Sequence, residues 1–273
     1  MSGPAMSDPL LALHLSASYR GGTGVLRDLS LQVRRGEIVG LVGQSGCGKS
    51  TLALALLRLL YLKGGSAVGS IQFNGRDLMA LSEREMRELR GKEMALVLQS
   101  PIAALNPALR LGTQLMEAWK VHRHGSTRAE CDGAIEGALR SVSLPSDRSF
   151  LRRYAAELSV GQAQRVLIGM AVLHRPLLLI ADEPTSALDV ITQADILHLF
   201  SKLSRELSMA ILYISHDLPS VATISDRVAV MSEGQIVECR NTSDLFTCPA
   251  HPYTRRLINA LPLPPRFAVA ANF

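Results

Sequence analysis

The first hundred residues contain a series of short apolar stretches, in which apolar and polar positions alternate or β-branched residues predominate. Such stretches are typical of strands, and they occur at residues 11–19, 25–33, 71–74 and 94–98. We therefore expect a mixed or antiparallel sheet in this part of the chain. The charged stretch 82–93 lies between the last two strands and is predicted to be helical.

The pattern changes after Pro101. Prolines 101 and 107 interrupt the chain, and apolar residues then recur at helical spacing. The residues on one such helix face are Ile135, Ala138, Leu139 and Val142. The region 101–165 is predicted to be an inserted helical subdomain, with an exposed loop at residues 121–127.

Two apolar runs after residue 166 predict buried strands, at residues 177–181 and 210–215, with helix-like sequence between them. This alternation indicates a parallel α/β core. Residues 228–231 and 235–239 are separated by a Ser-Glu-Gly turn and predict a hairpin.

The length of 273 residues allows one large domain or two closely packed lobes. We expect a core domain over residues 1–240, into which the helical subdomain is inserted. The proline-punctuated residues 241–273 would form a C-terminal tail.

Composition and charge restrict the partners. A net charge of +5 is mild, and aromatic residues make up only 4% of the chain. Nucleic-acid platforms need aromatic side chains on which bases stack, so no nucleic acid is expected as a partner.

The four cysteines, at positions 47, 131, 239 and 248, show no Cys-x-x-Cys spacing and no nearby histidine pair. We expect reduced thiols in a cytosolic protein rather than a zinc or iron–sulfur site. The N-terminus lacks the charged start and apolar core of a signal peptide. The apolar runs are shorter than the roughly 20 residues of a membrane helix, so a membrane role is expected only through a partner.

Residues 43–51, with the sequence GQSGCGKST, match a phosphate-binding P-loop between the apolar stretch 37–42 and the helix-forming stretch 52–60. The glycines let backbone N–H groups face phosphate oxygens, and the start of the helix adds its positive dipole end. Lys49 is expected to reach the β- and γ-phosphates and Ser50 to ligate Mg²⁺. The predicted nucleotide-binding residues of the loop are Gly43, Gln44, Ser45, Gly46, Cys47, Gly48, Lys49, Ser50 and Thr51.

Cys47 stands within this loop beside a helix N-terminus, where a thiolate is favoured. We therefore hypothesise that alkylation of Cys47 blocks nucleotide binding and that bound ATP protects the thiol.

Polar residues at predicted strand ends supply the remaining chemistry. Asp182 and Glu183 follow an apolar strand, and we expect Asp182 to help hold Mg²⁺ and Glu183 to orient or deprotonate the attacking water. His216 follows the next core strand, and parallel strands deliver their carboxyl ends to the ligand crevice, so it can contact the γ-phosphate. Gln99 ends the strand before the helical subdomain, where its amide can bind Mg²⁺ or water.

Residues 157–165, with the sequence ELSVGQAQR, place a hydroxyl and a glycine at a predicted helix N-terminus, which is a second anion site. One triphosphate needs one P-loop, so the second site implies the nucleotide of a partner subunit. Together with the P-loop, Gln99, Asp182-Glu183, the stretch 186–189 and His216, this segment makes the chain resemble ABC-type ATPases over about residues 10–240. We name residues 157–165 the signature segment.

The resemblance implies an α/β P-loop NTPase fold, with a RecA-like parallel core, an antiparallel β subdomain and an inserted α-helical subdomain. It implies that two such domains close head to tail around ATP and Mg²⁺. The catalytic residues would be Glu183, His216, Gln99 and Lys49, and the metal-binding residues Ser50, Gln99 and Asp182.

The same resemblance implies that Tyr19 stacks on adenine and that Asp189 reaches across the dimer. It further implies that Ser159, Gly161 and Gln162 contact the γ-phosphate bound by the partner. The common signature of the family is LSGGQ, whereas this chain carries Val160 at the first glycine. Either the β-branched side chain weakens the site or the position tolerates side chains.

Two further segments resemble the peptide and nickel importer ATPases. The stretch 99–107, QSPIAALNP, is similar to the QDPxxSLNP segment of that group, with Ser100 and Ala104 as departures, and residues 251–255, HPYTR, match its HPYT element. With only Cys239 and Cys248 in the tail, the iron–sulfur cluster of some members is not expected.

The implied protein is the ATPase subunit of an importer of peptides, nickel or metal chelates, at the cytoplasmic face of the inner or plasma membrane. Its partners would be a second ABC ATPase subunit, different or identical, two membrane permease subunits and, indirectly, an extracytoplasmic binding protein. The alternative is an ABC ATPase of a non-transport complex of the carbon–phosphorus lyase type. A DNA-repair ATPase would need a coiled-coil or zinc insertion that this sequence lacks.

Overall fold

The computed structural model describes residues 9–20 and 24–261. Three segments lie outside the described residues. They are residues 1–8 at the start of the predicted core domain, residues 21–23, and residues 262–273 at the end of the predicted tail. In chain order the strands are β1 (Leu11–Tyr19), β2 (Leu26–Val33), β3 (Ile38–Val42), β4 (Gly65–Phe73), β5 (Arg76–Asp77), β6 (Met94–Val97), β7 (Leu178–Asp182), β8 (Ala210–Ser215), β9 (Arg227–Ser232) and β10 (Gln235–Asn241).

The helices begin at the P-loop and continue to the C-terminal tail. They are α1 (Lys49–Leu56), α2 (Glu83–Leu89), α3 (Pro101–Ala104), α4 (Leu111–Lys120), α5 (Arg128–Ser141), α6 (Arg148–Leu151), α7 (Val160–Val172), α8 (Val190–Leu207), α9 (Leu218–Ile224), α10 (Thr242–Thr247) and α11 (Pro252–Asn259), with 3₁₀ turns at Leu60–Lys63 and Ala155–Glu157. None of these helices in the described ranges combines the length and apolarity that a membrane crossing requires.

The described strands form two sheets. The first is antiparallel, in the order β2-β1-β4-β5, and the second follows the order β10-β9-β3-β8-β7-β6. Neighbouring strands from β9 to β6 run parallel, and β10 pairs antiparallel with β9 as the predicted hairpin. The predicted fold class, a parallel P-loop core with an antiparallel β subdomain and added helices, is confirmed.

The single sheet expected for the first hundred residues is wrong. β3 and β6 leave the antiparallel sheet because their pairing partners, β8 and β7, come from the second half of the chain. Local alternation of apolar residues indicates a strand but does not identify a partner so distant in sequence.

α1 lies between the two sheets. Val39 and Leu41 of β3 face one core cluster, to which α1 contributes Leu52 and Leu56 and the antiparallel sheet contributes its apolar side. Neighbouring residues of β3 face the other cluster, which contains the helices after residue 101. Both faces of β3 are therefore buried, and the P-loop between β3 and α1 is anchored at each end.

The helix of the P-loop is shorter than its apolar sequence suggests. α1 ends at Leu56, and Arg58 adopts a left-handed backbone conformation with φ of 51°. Its guanidinium donates to the carbonyl oxygen of Leu78 at 2.9 Å. The helix-forming stretch 52–60 is thus interrupted by a turn, which local backbone hydrogen bonds close, such as that from the Leu59 N–H to the Leu54 carbonyl oxygen at 2.8 Å, and which the Arg58 side chain ties to a distant segment.

The region after β6 is helical, as predicted. The predicted apolar face of α5 is buried, and it packs in the same core cluster as Val166 of α7. Thr127 and Glu130 start α5 with a reciprocal capping box, in which side chains satisfy the free N–H groups of the first turn. α7 continues past residue 165, and the division of the chain into domains stays a prediction.

Candidate functional site

The side chain of Lys49 is hydrogen-bonded to backbone carbonyl groups of the P-loop. Lys49 is 5% exposed, and its Nζ donates to the carbonyl oxygens of Gly43 at 2.8 Å and Gln44 at 3.1 Å. An ammonium group has three donors, so one N–H remains for a phosphate oxygen. The side chain is thereby fixed in the loop before any nucleotide contact forms.

Two glycines let the loop lie directly on neighbouring strands. A Cβ at Gly43 would lie 2.3 Å from the carbonyl oxygen of Met231, and one at Gly48 would lie 2.7 Å from the Cδ2 of Leu26. Gly48 also has a φ of 112°, a conformation that side chains disfavour. These glycines are needed for close packing of the loop as well as for its curvature.

The thiolate expected at Cys47 is disfavoured, whereas the hypotheses that its alkylation blocks nucleotide binding and that ATP protects it stay predictions. Burial raises the pKa of the Cys47 thiol above its usual value, and the nearby Lys49 ammonium opposes this effect only in part. The side chain packs against the core cluster between the two sheets. Its position at a helix N-terminus is therefore outweighed by the loss of solvent.

Asp182, at the end of β7, has the properties of a metal-binding carboxylate. Its Oδ1 is buried and has no hydrogen-bond partner among the described residues. Burial raises the pKa of Asp182, and the Ser50 hydroxyl opposes the rise. A buried carboxylate oxygen without a partner is unfavourable unless a cation compensates it, so Asp182 and Ser50 fit a Mg²⁺ ion, which prefers oxygen ligands.

Three strand ends converge on Glu183. Its Oε2 accepts from the amide Nε2 of Gln99 at 3.4 Å and lies 3.1 Å from the Nδ1 of His216. Gln99 follows β6, Glu183 follows β7 and His216 follows β8. The structure thus brings together the three residues that sequence analysis placed at separate strand ends, around a carboxylate whose side chain is 19% exposed.

The backbone of Glu183 is held in an unusual conformation. Its φ is 48°, a region that costs a non-glycine residue about 1–3 kcal/mol. Its N–H donates to the carbonyl oxygen of Ile214 at 2.9 Å, and its own carbonyl oxygen accepts from the Ser186 hydroxyl at 3.1 Å. These bonds turn the chain sharply after Asp182 and separate the two neighbouring carboxylates.

Sequence analysis missed the residues that hold His216 in place. The Asp217 N–H donates to the Ser215 hydroxyl at 3.0 Å, and the Asp217 Oδ2 accepts from the Gln193 Nε2 at 2.9 Å and from the Ser220 hydroxyl. The turn after β8 is therefore tied to α8 and α9. A polar cluster spread over three elements leaves no local pattern in the sequence.

The signature segment begins α7. Ser159 is the N-cap, its hydroxyl accepts from the Gln162 N–H at 3.1 Å, and the Gln162 Oε1 accepts from the Ser159 N–H at 3.2 Å. Val160, the first residue of the helix, is 41% exposed. Whether the position tolerates this side chain or the site is weakened by it stays a prediction.

Gly161 lies close to the start of α8. A Cβ at this position would lie 2.7 Å from the Cγ2 of Thr192, at the start of α8. Thr192 in turn donates from its hydroxyl to the Asp189 Oδ2 at 2.7 Å. Sequence analysis missed Thr192, because its contact with Gly161 joins segments that are distant in the chain.

Asp189 is the N-cap of α8. Its Oδ1 accepts from the N–H groups of Ile191 at 3.1 Å and Thr192 at 3.0 Å. Hydrogen bonds from Thr192 hold the pKa of Asp189 below its usual range. The next two side chains, Val190 and Ile191, are 82% and 78% exposed. The predicted reach of Asp189 across a dimer stays a prediction.

Tyr19 lies at the end of β1, and its hydroxyl is 3.3 Å from the Oγ1 of Thr51. The ring therefore stands beside the first turn of α1, directly after the P-loop. Stacking of this ring on adenine stays a prediction, as do the roles assigned to the other site residues.

The architecture and the strand-end residues can be compared with known proteins. The family model described as ABC transporter matches residues 26–186. The chain belongs to the ABC transporter family. This ABC protein is 44% identical over 234 residues to the dipeptide transport ATP-binding protein DppD of Escherichia coli, which covers 86% of the chain and 71% of DppD.

A second relative of this ABC protein is the oligopeptide transport ATP-binding protein OppD of Salmonella typhimurium. The two are 45% identical over 246 residues, which is 90% of this chain and 73% of OppD. Among solved structures, cbiO1 from Clostridium perfringens, part of the ABC transporter complex cbiONQ, superposes with a TM-score of 0.75 at 26% identity, over 94% of this chain and 97% of cbiO1. The chain is an ABC ATPase that binds ATP, and its predicted family is confirmed.

Proposed function

We propose that this ABC ATPase hydrolyses ATP in a head-to-tail dimer with a second ABC ATPase subunit and thereby drives uptake of peptides through membrane permease subunits. The similarity to DppD and OppD, whose names refer to dipeptide and oligopeptide transport, supports the class of cargo. Nickel and metal chelates, which the sequence also allowed, have no specific support in these relatives. The carbon–phosphorus lyase alternative has none either.

The observation that carries hydrolysis is the arrangement around Glu183. One carboxylate oxygen faces both the Gln99 amide and the His216 ring. Within residues 9–20 and 24–261 these are the side chains that bond to the carboxylate, so its other oxygen can accept a proton from water. A carboxylate in this position can orient and deprotonate a nucleophile while the imidazole and the amide fix its rotamer. Lys49, held by the P-loop carbonyls, would neutralise charge on the phosphates.

Mg²⁺ is part of the proposal because the residues present fit it. Asp182 and Ser50 would hold the ion, which when bound neutralises phosphate charge. The signature segment would complete the site of the opposite subunit, with the Ser159 hydroxyl and the N–H groups of the first turn of α7 directed at the γ-phosphate. A second subunit is needed because each chain would supply the P-loop to one nucleotide and the signature segment to the other.

The test is Glu183→Gln, which keeps the shape of the side chain and removes its capacity to take a proton. We expect ATP affinity close to that of the wild type and a loss of turnover by at least about a hundredfold. Binding would be measured with a fluorescent ATP analogue and turnover by phosphate release. Wild-type turnover in Glu183→Gln would refute the role of this carboxylate. Failure of purified transporter vesicles to accumulate a labelled di- or oligopeptide with ATP would refute the cargo class.

A further inference from the structure

The C-terminal tail contacts the P-loop through one phenol. The hydroxyl of Tyr253, in the first turn of α11, accepts a hydrogen bond from the Gln44 N–H at 3.2 Å. The carbonyl oxygen of Gln44 accepts from the Lys49 Nζ at 3.1 Å. Gln44 is therefore held on both sides, by the tail through its N–H and by the P-loop lysine through its carbonyl.

The phenol is itself held firmly. Tyr253 is 9% exposed, its N–H donates to the Nδ1 of His251 at 3.2 Å, and the guanidinium carbon of Arg256 lies 5.9 Å from the centre of its ring. Pro252 occupies the first position of α11, where its fixed φ suits a helix start. The hydroxyl is thus presented to the loop from a rigid helix end rather than from a mobile chain.

A buried carboxylate of β10 fixes the tail to the core. Glu238 is 8% exposed, and its two oxygens accept from the N–H groups of Ala250 at 2.8 Å and His251 at 2.9 Å. Burial by itself would raise the pKa of Glu238, but these hydrogen bonds hold it below the usual range. The carboxylate therefore stays charged at neutral pH and keeps the residues before α11 in place.

An open cavity lies beside the contact between Tyr253 and Gln44. Its volume is about 560 Å³, and its walls include Ser45, Cys47 and Arg256. Within residues 9–20 and 24–261, the bond to Tyr253 is the hydrogen bond from α11 to the loop. Loss of the phenol hydroxyl would leave the Gln44 N–H without its acceptor at the edge of an open cavity.

We propose that Tyr253 is a positioning residue for nucleotide binding. It fixes the peptide between Gly43 and Gln44, whose N–H donates to the phenol and whose carbonyl oxygen, that of Gly43, accepts from the Lys49 ammonium at 2.8 Å. It thereby keeps the ammonium at the place where phosphate would bind. The C-terminal tail would then be a part of the ATP site rather than an appendage. The inference rests on the proposed ATP site at the P-loop.

Tyr253→Phe tests this proposal because it keeps the ring, its burial and its contact with Arg256 while removing the acceptor. We expect the Kd and the KM for ATP to rise about fivefold, the factor that one hydrogen bond is worth, because the nucleotide must then order a loop that the phenol already orders in the free wild type. kcat should stay within about twofold, because the bond is present both before and during the reaction. Tyr61→Phe is the matched control, since that phenol is 57% exposed on the surface.

Amide exchange without nucleotide provides an independent measurement. The peptide that contains Gln44 should exchange faster in Tyr253→Phe than in the wild type and in Tyr61→Phe, with unchanged exchange in the central strands. Unchanged exchange together with unchanged Kd and KM would overturn the proposal. If the wild type itself bound no ATP, the proposed function would fail, whereas equal binding by the wild type and Tyr253→Phe would sink only the role of Tyr253.

Discussion

Replacing Gly161 by Ala should destabilise the junction between α7 and α8, and replacing Thr192 by Ser in the same chain should reverse the effect. The new Cβ would lie 2.7 Å from the Thr192 Cγ2, well inside van der Waals contact. The methyl cannot simply rotate away, because the Thr192 hydroxyl on the same carbon donates to Asp189 at 2.7 Å. Either the two helices move apart or this hydrogen bond breaks.

Both routes are unfavourable. Overpacking of this kind costs about 1–3 kcal/mol, and the other route gives up the hydrogen bond from the Thr192 hydroxyl to Asp189. Ala returns up to about 1 kcal/mol over Gly through helix propensity. The net loss should therefore be about 1–2 kcal/mol, which lowers the Tm of a domain of this size by roughly 2–8 °C.

The assay is urea unfolding of four proteins: the wild type, Gly161→Ala, Thr192→Ser and the double variant. Ser at position 192 keeps the hydroxyl that donates to Asp189, the N-cap of α8, and removes only the methyl, so the double variant should lie within about 0.5 kcal/mol of the wild type. Additive losses in the double variant, or a Gly161→Ala protein as stable as the wild type, would refute the steric argument.

The activity of the double variant adds a second result. If packing is the reason for the glycine, restored stability should bring restored ATPase activity. A stable but inactive double variant would instead show that position 161 must lack a side chain for contact with the nucleotide of the partner subunit.

The remaining predictions concern the nucleotide side of the site. Lys49→Ala should weaken ATP binding strongly, measured by titration with a fluorescent analogue, and undiminished affinity would contradict the P-loop assignment. Asp182→Asn should abolish Mg²⁺-dependent turnover. It should not lower the Tm of the nucleotide-free protein at neutral pH, because the substitution removes a carboxylate whose charged form is disfavoured by burial. A large loss of Tm would indicate a structural carboxylate. Cys47 should react slowly with iodoacetamide at pH 7 and faster as the pH rises above the ordinary thiol range, because its raised pKa leaves little thiolate at neutrality; labelling at the rate of an exposed thiol would contradict this.

The elements with strong local patterns could be predicted from the sequence. The P-loop, the strand ends at Asp182 and His216 and the helical region after Pro101 lie where they were expected. Each rests on a short-range signal, such as glycine spacing, an apolar run that ends in polar residues, or helical periodicity. In these cases the structure depends on interactions between residues that are close in the chain, so a single sequence is enough to predict it.

The features that could not be predicted are contacts between distant segments. Three contacts show this. Gly161 approaches Thr192, Asp217 accepts from Gln193, which lies 24 positions before it, and Tyr253 accepts from Gln44, which lies 209 positions before it. The thiolate predicted at Cys47 was wrong for the same reason. The helix N-terminus that favours a thiolate is a local feature, whereas the burial that raises the pKa of this thiol comes from residues of both sheets. These features depend on how distant segments pack together, which a single sequence does not show.

Gln99 connects the helical region to Glu183, the carboxylate for which we propose a catalytic role. It lies between the end of β6 and the start of α3, so movement of the helices after residue 101 must act on its backbone. Its 3.4 Å contact with Glu183 is longer than an ordinary N–H···O bond of about 2.9–3.0 Å. A displacement of a few tenths of an ångström is therefore enough to strengthen or break it, while the His216 contact at 3.1 Å and the Ile214 backbone bond keep Glu183 in place. Of the contacts to this carboxylate, the hydrogen bond from Gln99 is thus the one that a small movement of the helical region would change most. Such a movement would act on Glu183 through this bond.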